Sequence, residues 1–513
     1  MSSQNIIYRS NPEPDHTLEA AGQKFPADPT AKINRNNPAE HSFISTSVIL
    51  SALVATVLIG LVCWAGLSSS TLQVAGALTL SIFIIAIWAW IFTPLPDTYV
   101  ALAAAVLLVL TGVSELETLT RSLGNSTIWL LVAAVVMAQG VSQSGLATRW
   151  TAHIISRAQS SRSLFYSLTL ALFLTAFLIP STSGRAALAL PIFTALAKVL
   201  AERDNLVKAL SILIPSVVLL SAVSSYIGAG AHLITDEILG GAGYETIGFL
   251  RWMLLGSGLG LLASLMCTEL VLRLFLSAQE RSHKLTLEAE DLLSKDHRMS
   301  QEEKNVLLVL AVVVTAWCTE PLHGMDTVLV ALLGALAMTA PQVSGVSLGA
   351  GLKKAPWPLL VFMAATLALG SALVDSGAAA WLGKALFSPL AAGGHSAGYL
   401  FIAVITAIST AAHLVIQSRS ARSAVLVPLI MSAALPLGVN PVAAAFVSTA
   451  AAGFCHTLTS SAKPVALFSH IENAPVYGAK DLLKLSAWLA PLHGILVLIF
   501  AFIIWPLLGL HLF

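Results

Sequence analysis

Ile179-Pro180-Ser181-Thr182-Ser183-Gly184-Arg185, followed by Pro191, and Gln417-Ser418-Arg419-Ser420-Ala421-Arg422, followed by Pro428, decide the fold. Each run lies inside an apolar stretch, 163–200 and 397–437, that is too long for one membrane span, since a spanning helix needs roughly 20 apolar residues. Polar, non-helical backbone at membrane depth is tolerated only where protein buries it or where it lines a wet cavity. Each stretch is therefore expected to be a helical hairpin that enters and leaves on one side, with the Ser-rich run at its tip. Hydroxyls and free N–H groups at the start of a helix form a ready anion site. A guanidinium stays charged and grips a carboxylate with two bonds. The plain alternative is that the hydroxyls bond back into their own helices and the arginines reach for an interface. Burying an arginine costs about 2.5–3.5 kcal/mol on insertion scales. Two such costs at Arg185 and Arg422 favour a functional reading.

The rest of the chain agrees. Of 513 residues, 56% are hydrophobic and only 10% charged, with a mean hydropathy of +0.83 and a net charge of +1. A soluble domain carries about 25% charged residues. Further apolar stretches run at 44–66, 72–93, 98–113, 127–147, 208–235, 249–278, 304–320, 325–341, 357–386, 440–471 and 485–511. The near-neutral charge points to no nucleic-acid partner. Cys63, Cys267, Cys318 and Cys455 all lie in apolar runs without metal-ligand spacing and read as small core residues. There is no His-Glu-x-x-His or Gly-x-x-x-x-Gly-Lys-Ser/Thr motif, so neither an intramembrane enzyme nor an ATPase is expected. No cofactor is expected either.

The chain repeats itself. Trp90-Ile-Phe-Thr-Pro94 before Asp97-Thr98 returns as Trp317-Cys-Thr-Glu-Pro321 before Asp326-Thr327. Trp129 with Ser144-Gly145 returns as Trp357 with Ser376-Gly377, and the two tips follow in the same order. The offset drifts only from 227 at the tryptophans to 237 at the tips. Internal repeats mark many secondary transporters. The organisation expected is a disordered cytoplasmic tail at 1–43, a first span at 44–70, one repeat at 71–280 with hairpin 163–200, a cytoplasmic linker at 281–304, and a second repeat at 305–513 with hairpin 397–437. The fold class expected is an all-α polytopic membrane protein of inverted repeats, with about eleven transmembrane helices and two re-entrant hairpins. This arrangement places Arg149, Arg157, Arg162, Lys198, Arg203, Lys208, Lys353, Lys354, Lys480 and Lys484 inside, and Arg121, Arg251 and Lys384 outside. The positive-inside rule is then satisfied, for a bacterial-type inner membrane with the N-terminus cytoplasmic and the C-terminus outside.

After each hairpin an apolar span carries a polar interruption: Ser224-Ser-Tyr-Ile-Gly228-Ala-Gly230 in one half, Thr457-Leu-Thr459-Ser460-Ser461-Ala-Lys463-Pro464 in the other. Such interruptions point to discontinuous helices, against the alternative of a simple kink. Lys463 counts for most, because an ionisable group inside the membrane is a functional hypothesis in itself. His232, His413 and His456 are weaker candidates, as proton relays. Asp375 and Gln143 read as lying near span ends, and Asp236 and Glu237 as the start of an outside loop.

In these features the chain resembles the divalent anion/sodium symporter family, which holds sodium-coupled dicarboxylate, citrate and sulfate carriers and dicarboxylate exchangers. The likeness covers about residues 45–513. The family carries Ser-Asn-Thr at each tip eight residues before a proline, a spacing kept from Ser183 to Pro191 and from Ser420 to Pro428. Exchanger-like members continue to an arginine, matched by Arg185 and Arg422, and the close Trp505-Pro-Leu-Leu-Gly-Leu510 is similar too. The resemblance implies alternating access, a homodimer, and a small di- or trianion, a dicarboxylate first, held by Ser181, Thr182, Ser183, Arg185, Ser418, Arg419, Ser420 and Arg422. Gly228, Gly230, Thr459, Ser460, Ser461 and Lys463 are the candidates for binding or replacing a coupling ion. The motif asparagine is absent: Thr182 and Arg419 stand in its place. Arg419 repels sodium, so exchange is expected over symport, with a sodium- or proton-coupled symporter of sulfate, citrate or another oxyanion, its sodium at the first tip, and an anion channel as the competing readings.

Overall fold

The structure is a computed structural model that describes residues 46–68, 72–285, 299–391, 396–471 and 474–513. The tail expected at 1–43 and the middle of the 281–304 linker lie outside these. The chain separates into residues 1–50 and 51–513, and of the first unit only the opening turn of the helix Thr46–Ser68 is described.

Among the described residues every named element is a helix, and pairing of the strand type is confined to one isolated bridge, Ser160 with Lys284. Lipid dictates this, because only a helix satisfies its backbone within its own segment. Among the described residues, eight helical stretches are long and apolar enough to cross a membrane, Val74–Phe92, Asp204–Ser224, Phe249–Phe275, Trp357–Asp375 and Ala479–Leu507 among them. Shorter apolar helices, Asp97–Leu110, Thr327–Met338 and Pro441–Ala451 among them, accompany these. The stretch 357–386 is not one span: it breaks at Gly377, whose φ of 70° is left-handed. Gly145, at φ 77°, ends Ser126–Ser144 in the same way. The recurring Ser-Gly pair is thus a helix stop that a residue without Cβ makes cheap.

The recurring tryptophans pin turns. Trp90 Nε1 donates to the Asp97 carbonyl at 3.2 Å, and Trp317 Nε1 to the Thr327 carbonyl at 3.0 Å. Each holds one helix end against the start of the next. The overlong segments each contain two helices, Ser161–Leu174 with Thr182–Val199 and Ala397–Ala411 with Arg419–Ala434. The span after each is broken, into Asp204–Leu220 and Gly230–Gly241 in one half and Pro441–Ala451 and Lys463–Phe468 in the other. The first break is held from behind by Phe249–Phe275. A Cβ on Gly256 would lie 2.0 Å from the Val223 carbonyl oxygen, and one on Gly260 2.1 Å from Ser224 Oγ. This Gly-x-x-x-Gly pair lets backbone meet backbone. Beyond the linker, Ser300 and Glu303 cap Gln301–Cys318 reciprocally, and Glu303 also accepts from Arg149 Nε at 2.6 Å.

Asp236 and Glu237 do not begin a loop. They lie within Gly230–Gly241, where Asp236 is buried and accepts from Tyr226 Oη at 2.8 Å and from the Ile247 amide at 2.5 Å. Glu237 accepts from Asn125 Nδ2 at 2.6 Å and from the Thr127 hydroxyl. Both carboxylates therefore anchor the broken helix to its neighbours. The apolar context concealed this, because the partners lie far away in the chain.

Candidate functional site: a cationic cavity between two helix tips

The two tips and the two breaks line one cavity of about 730 Å³. Ser181 caps Thr182–Val199, its hydroxyl accepting from the Gly184 amide at 3.4 Å. Ser418 caps Arg419–Ala434, accepting from the Ala421 amide at 3.3 Å. Ser181 has φ 111°, a region that side chains other than hydrogen rarely enter. Such strain costs on the order of 1–3 kcal/mol and persists where the surroundings enforce it. Thr182, Ser183, Arg419, Ser420 and Arg422 complete the lining from the tips; Gly230, Ser460, Ser461 and Lys463 complete it from the breaks. A Cβ on Gly230 would stand 3.1 Å from Ser420 Oγ, so glycine admits the second tip to the start of the first half's broken helix.

Arg185, Gly228 and Thr459 are not among the lining residues. Gly228 serves a close approach, since a Cβ there would lie 2.2 Å from the Ala222 carbonyl oxygen. Arg185 is completely buried behind the first tip and fully bonded. Its Nε donates to Thr175 Oγ1 at 3.0 Å, Nη1 to the Val218 carbonyl at 2.9 Å, and Nη2 to the Leu172 carbonyl at 2.6 Å and to Ser221 Oγ at 2.7 Å. It caps two helix C-termini, where backbone carbonyls otherwise lack partners.

Arg422, its counterpart in the repeat, is also completely buried, yet Nε, Nη1 and Nη2 all lack a hydrogen-bond partner. The difference is readable in the fold. Thr175 opens the one-turn 3₁₀ segment Thr175–Phe177 that ends the outer arm of the first hairpin; Ala412 opens the matching segment Ala412–Leu414 of the second. A methyl group replaces the hydroxyl. The neighbour of Arg422 is the Cys455 thiol, a weak acceptor. A buried guanidinium without acceptors is costly to leave unmade, and this one lines the cavity.

Arg419 does something else. Its Nη2 donates to the Gly453 carbonyl at 2.6 Å and to the Leu219 carbonyl at 3.2 Å, with Cys455 Sγ at 3.7 Å. Those carbonyls belong to the ends of the broken helices of the two halves. A cation coordinated there would need the oxygens that this guanidinium already holds, and Arg185 holds Val218 beside them. The second tip therefore does not fit a sodium ion.

The histidines lie apart from the lining. His232 stacks on Trp252 at 4.9 Å and its Nδ1 pairs with the Ser225 carbonyl at 2.9 Å. His413 Nε2 meets Thr457 Oγ1 at 2.8 Å, and His456 packs on Phe454 at 5.1 Å. Asp375 and Gln143 sit at helix ends, as read from the sequence. Sequence reasoning missed Asp97, Lys354 and Cys455 as lining residues. In the sequence Asp97 stands out only for its place in the repeat, Lys354 reads as a cytoplasmic charge, and Cys455 reads as a small core residue. The available signal was an acid at the start of an apolar helix.

Helices of this length, two Ser-capped tips and two broken helices around one cavity make the fold that of a membrane transporter. A solved structure, the Alcanivorax borkumensis YdaH transporter, aligns with TM-score 0.50 at 16% identity over 85% of this chain and 98% of that one. Residues 47–512 match the family model described as the sodium:sulfate symporter transmembrane region, and the chain belongs to that family. Among its relatives, a membrane protein of Cupriavidus necator is 25% identical over 62% of this chain, and the match spans 63% of that protein's length. The sodium-dependent dicarboxylate transporter SdcS of Staphylococcus saprophyticus is 25% identical over 84% of this chain and 87% of its own. The L-tartrate/succinate antiporter of Escherichia coli is 24% identical over 61% and 65%.

Proposed function

We propose that this chain is a secondary carrier of small dianions or trianions, dicarboxylates first, working by alternating access and by exchange of one anion for another. The observation that carries the reading is Arg422: a buried guanidinium with three unbonded nitrogens on the wall of a cavity that also presents the Ser181, Ser418 and Ser420 hydroxyls. One carboxylate of the substrate takes the Arg422 fork, and the hydroxyls and N–H groups of the tips take the remaining oxygens. Arg185 is a positioning residue that fixes the first tip. Arg419 replaces a coupling cation, holding the carbonyls of both breaks with a charge that is never released.

A site with permanent positive charge is costly to carry empty across a low-dielectric barrier, and a bound anion removes that cost. The family relatives named for symport and for antiport bracket this choice. We further infer a homodimer, on the family resemblance alone, and, on the distribution of Lys and Arg along the chain, a bacterial-type inner membrane with the N-terminus cytoplasmic. The test is uptake of labelled succinate into proteoliposomes, with and without outside sodium and with and without unlabelled succinate inside. Exchange requires uptake that needs internal anion and ignores sodium. Uptake that needs a sodium gradient and ignores internal anion overturns it.

A further inference from the structure

Asp97 is an acid in an anion site. It lines the cavity beside Ser418, Arg419 and Lys463. Its carboxylate faces the Ser418 side chain and lies within electrostatic reach of Lys463. Its backbone leaves it little freedom. The Trp90 ring N–H holds its carbonyl, and Thr98 Oγ1 donates to the Pro358 carbonyl at 2.8 Å.

The two halves place the acid of the motif differently. Asp326, the acid of the second half's motif, stands one place earlier in its turn: it is exposed and caps Thr327–Met338 by accepting from the Val328 amide at 2.7 Å, and Trp317 holds the Thr327 carbonyl. Asp97 is the first residue of its own helix, after Pro96. The acid of the motif thus caps the helix in the second half, and in the first half it begins the helix and lines the cavity.

Resting on the reading of the cavity as an anion site, we propose that Asp97 is a tethered competitor for the second tip: in the empty carrier its carboxylate occupies the place at Ser418 and Lys463 that one carboxylate of a bound dianion takes, and the substrate displaces it. A carboxylate on the chain needs no diffusion to reach the site, so it sets a threshold of affinity that a weakly bound monoanion fails and a dianion, gripped also at Arg422, passes. Asp97 is then a residue of selectivity rather than of attraction.

Succinate and acetate binding to the full-length purified protein, measured by calorimetry at neutral pH in sodium-free buffer, tests this. Removing a competing occupied state raises apparent affinity by the fraction it had withheld, so Asp97→Asn is expected to bind succinate about five-fold tighter or more and to gain acetate binding. Asp326→Asn leaves succinate affinity as it was. Equal or weaker succinate binding by folded Asp97→Asn overturns the proposal. A wild-type protein that binds no succinate counts against the dicarboxylate reading instead, and a second measurement then decides on Asp97. With Cys63, Cys267, Cys318 and Cys455 replaced by Ala, Ser418→Cys is modified by anionic and by cationic methanethiosulfonates. Adding Asp97→Asn should raise the anionic-to-cationic rate ratio about five-fold or more. An unchanged ratio removes Asp97 from the tip.

Discussion

Arg185 and Arg422 are the same residue at the same place in two repeats, and their neighbours give them different work. Thr175, Ser221 and two carbonyls use up the first guanidinium, while the second is buried at the cavity wall without a hydrogen-bond partner. Losing a charge-assisted bond costs about 1.5–3 kcal/mol, so Arg422→Ala should weaken succinate binding by about 10- to 150-fold in calorimetry. A subtler change tests the cause. Ala412→Thr restores the hydroxyl that Thr175 supplies in the first half. A neutral bond of about 0.5–1.5 kcal/mol would then compete for Arg422, lowering affinity by roughly two- to ten-fold with no loss of fold. Both arginines were legible in the sequence as costly charges in apolar runs. Their division was not, because it depends on carbonyls and hydroxyls that other helices bring in, and only folding sets those beside one guanidinium and not the other.

The broken helices show the same boundary between what is local and what is not. The interruptions at 224–230 and 457–464 announce themselves by glycine, hydroxyls and Lys463 in apolar spans, and the structure breaks both helices there. What keeps the first break in place comes from Phe249–Phe275, through two glycines that read as ordinary in a membrane helix. Gly256→Ala puts a methyl group where the Val223 carbonyl already stands. The helix must move away, at a cost of about 1–3 kcal/mol. Thermal unfolding of the purified variant should shift down, and succinate affinity should fall with it, because the displaced break carries the Leu219 carbonyl that Arg419 holds. Unaltered affinity in a destabilised protein would uncouple the break from the site. Gly228 belongs to the same account: a candidate ion ligand in the sequence, it lies outside the cavity lining and lets Ala222 close in. A glycine's role depends on what approaches it, and the sequence does not show that.

Across the full chain, the order of elements recurs from Val74–Phe92 to Phe249–Phe275 and again from Gln301–Cys318 to Ala479–Ile499. Repetition of Trp, Ser-Gly and the tips made this order readable, since each motif marks a turn, a helix stop or a helix start. The number of spans was less readable: among the described residues eight stretches meet the length, and several expected spans are shorter helices or pairs of helices. Sidedness is a matter for chemistry in intact cells. Single cysteines beside Ser181 should react with impermeant reagents from the cytoplasm, and those beside Ser420 from the opposite face. Labelling of both from one face in every condition would rule out the inverted hairpins.

The charges on the cavity wall have an electrical consequence. Lys354, Arg419, Arg422 and Lys463 face Asp97 alone, so the lining carries a surplus of fixed positive charge. A membrane potential acts on moving charge with about 2.3 kcal/mol per elementary charge per 100 mV. In a carrier that crosses only when loaded, the wall makes the outward and the inward journey with the same charge, and two anions of equal valence cancel over the cycle. Voltage can then speed or slow each half of the turnover, but it does no net work on the exchange. A potassium diffusion potential imposed on proteoliposomes should change the initial rate of succinate–succinate exchange and leave its final distribution where the concentrations put it.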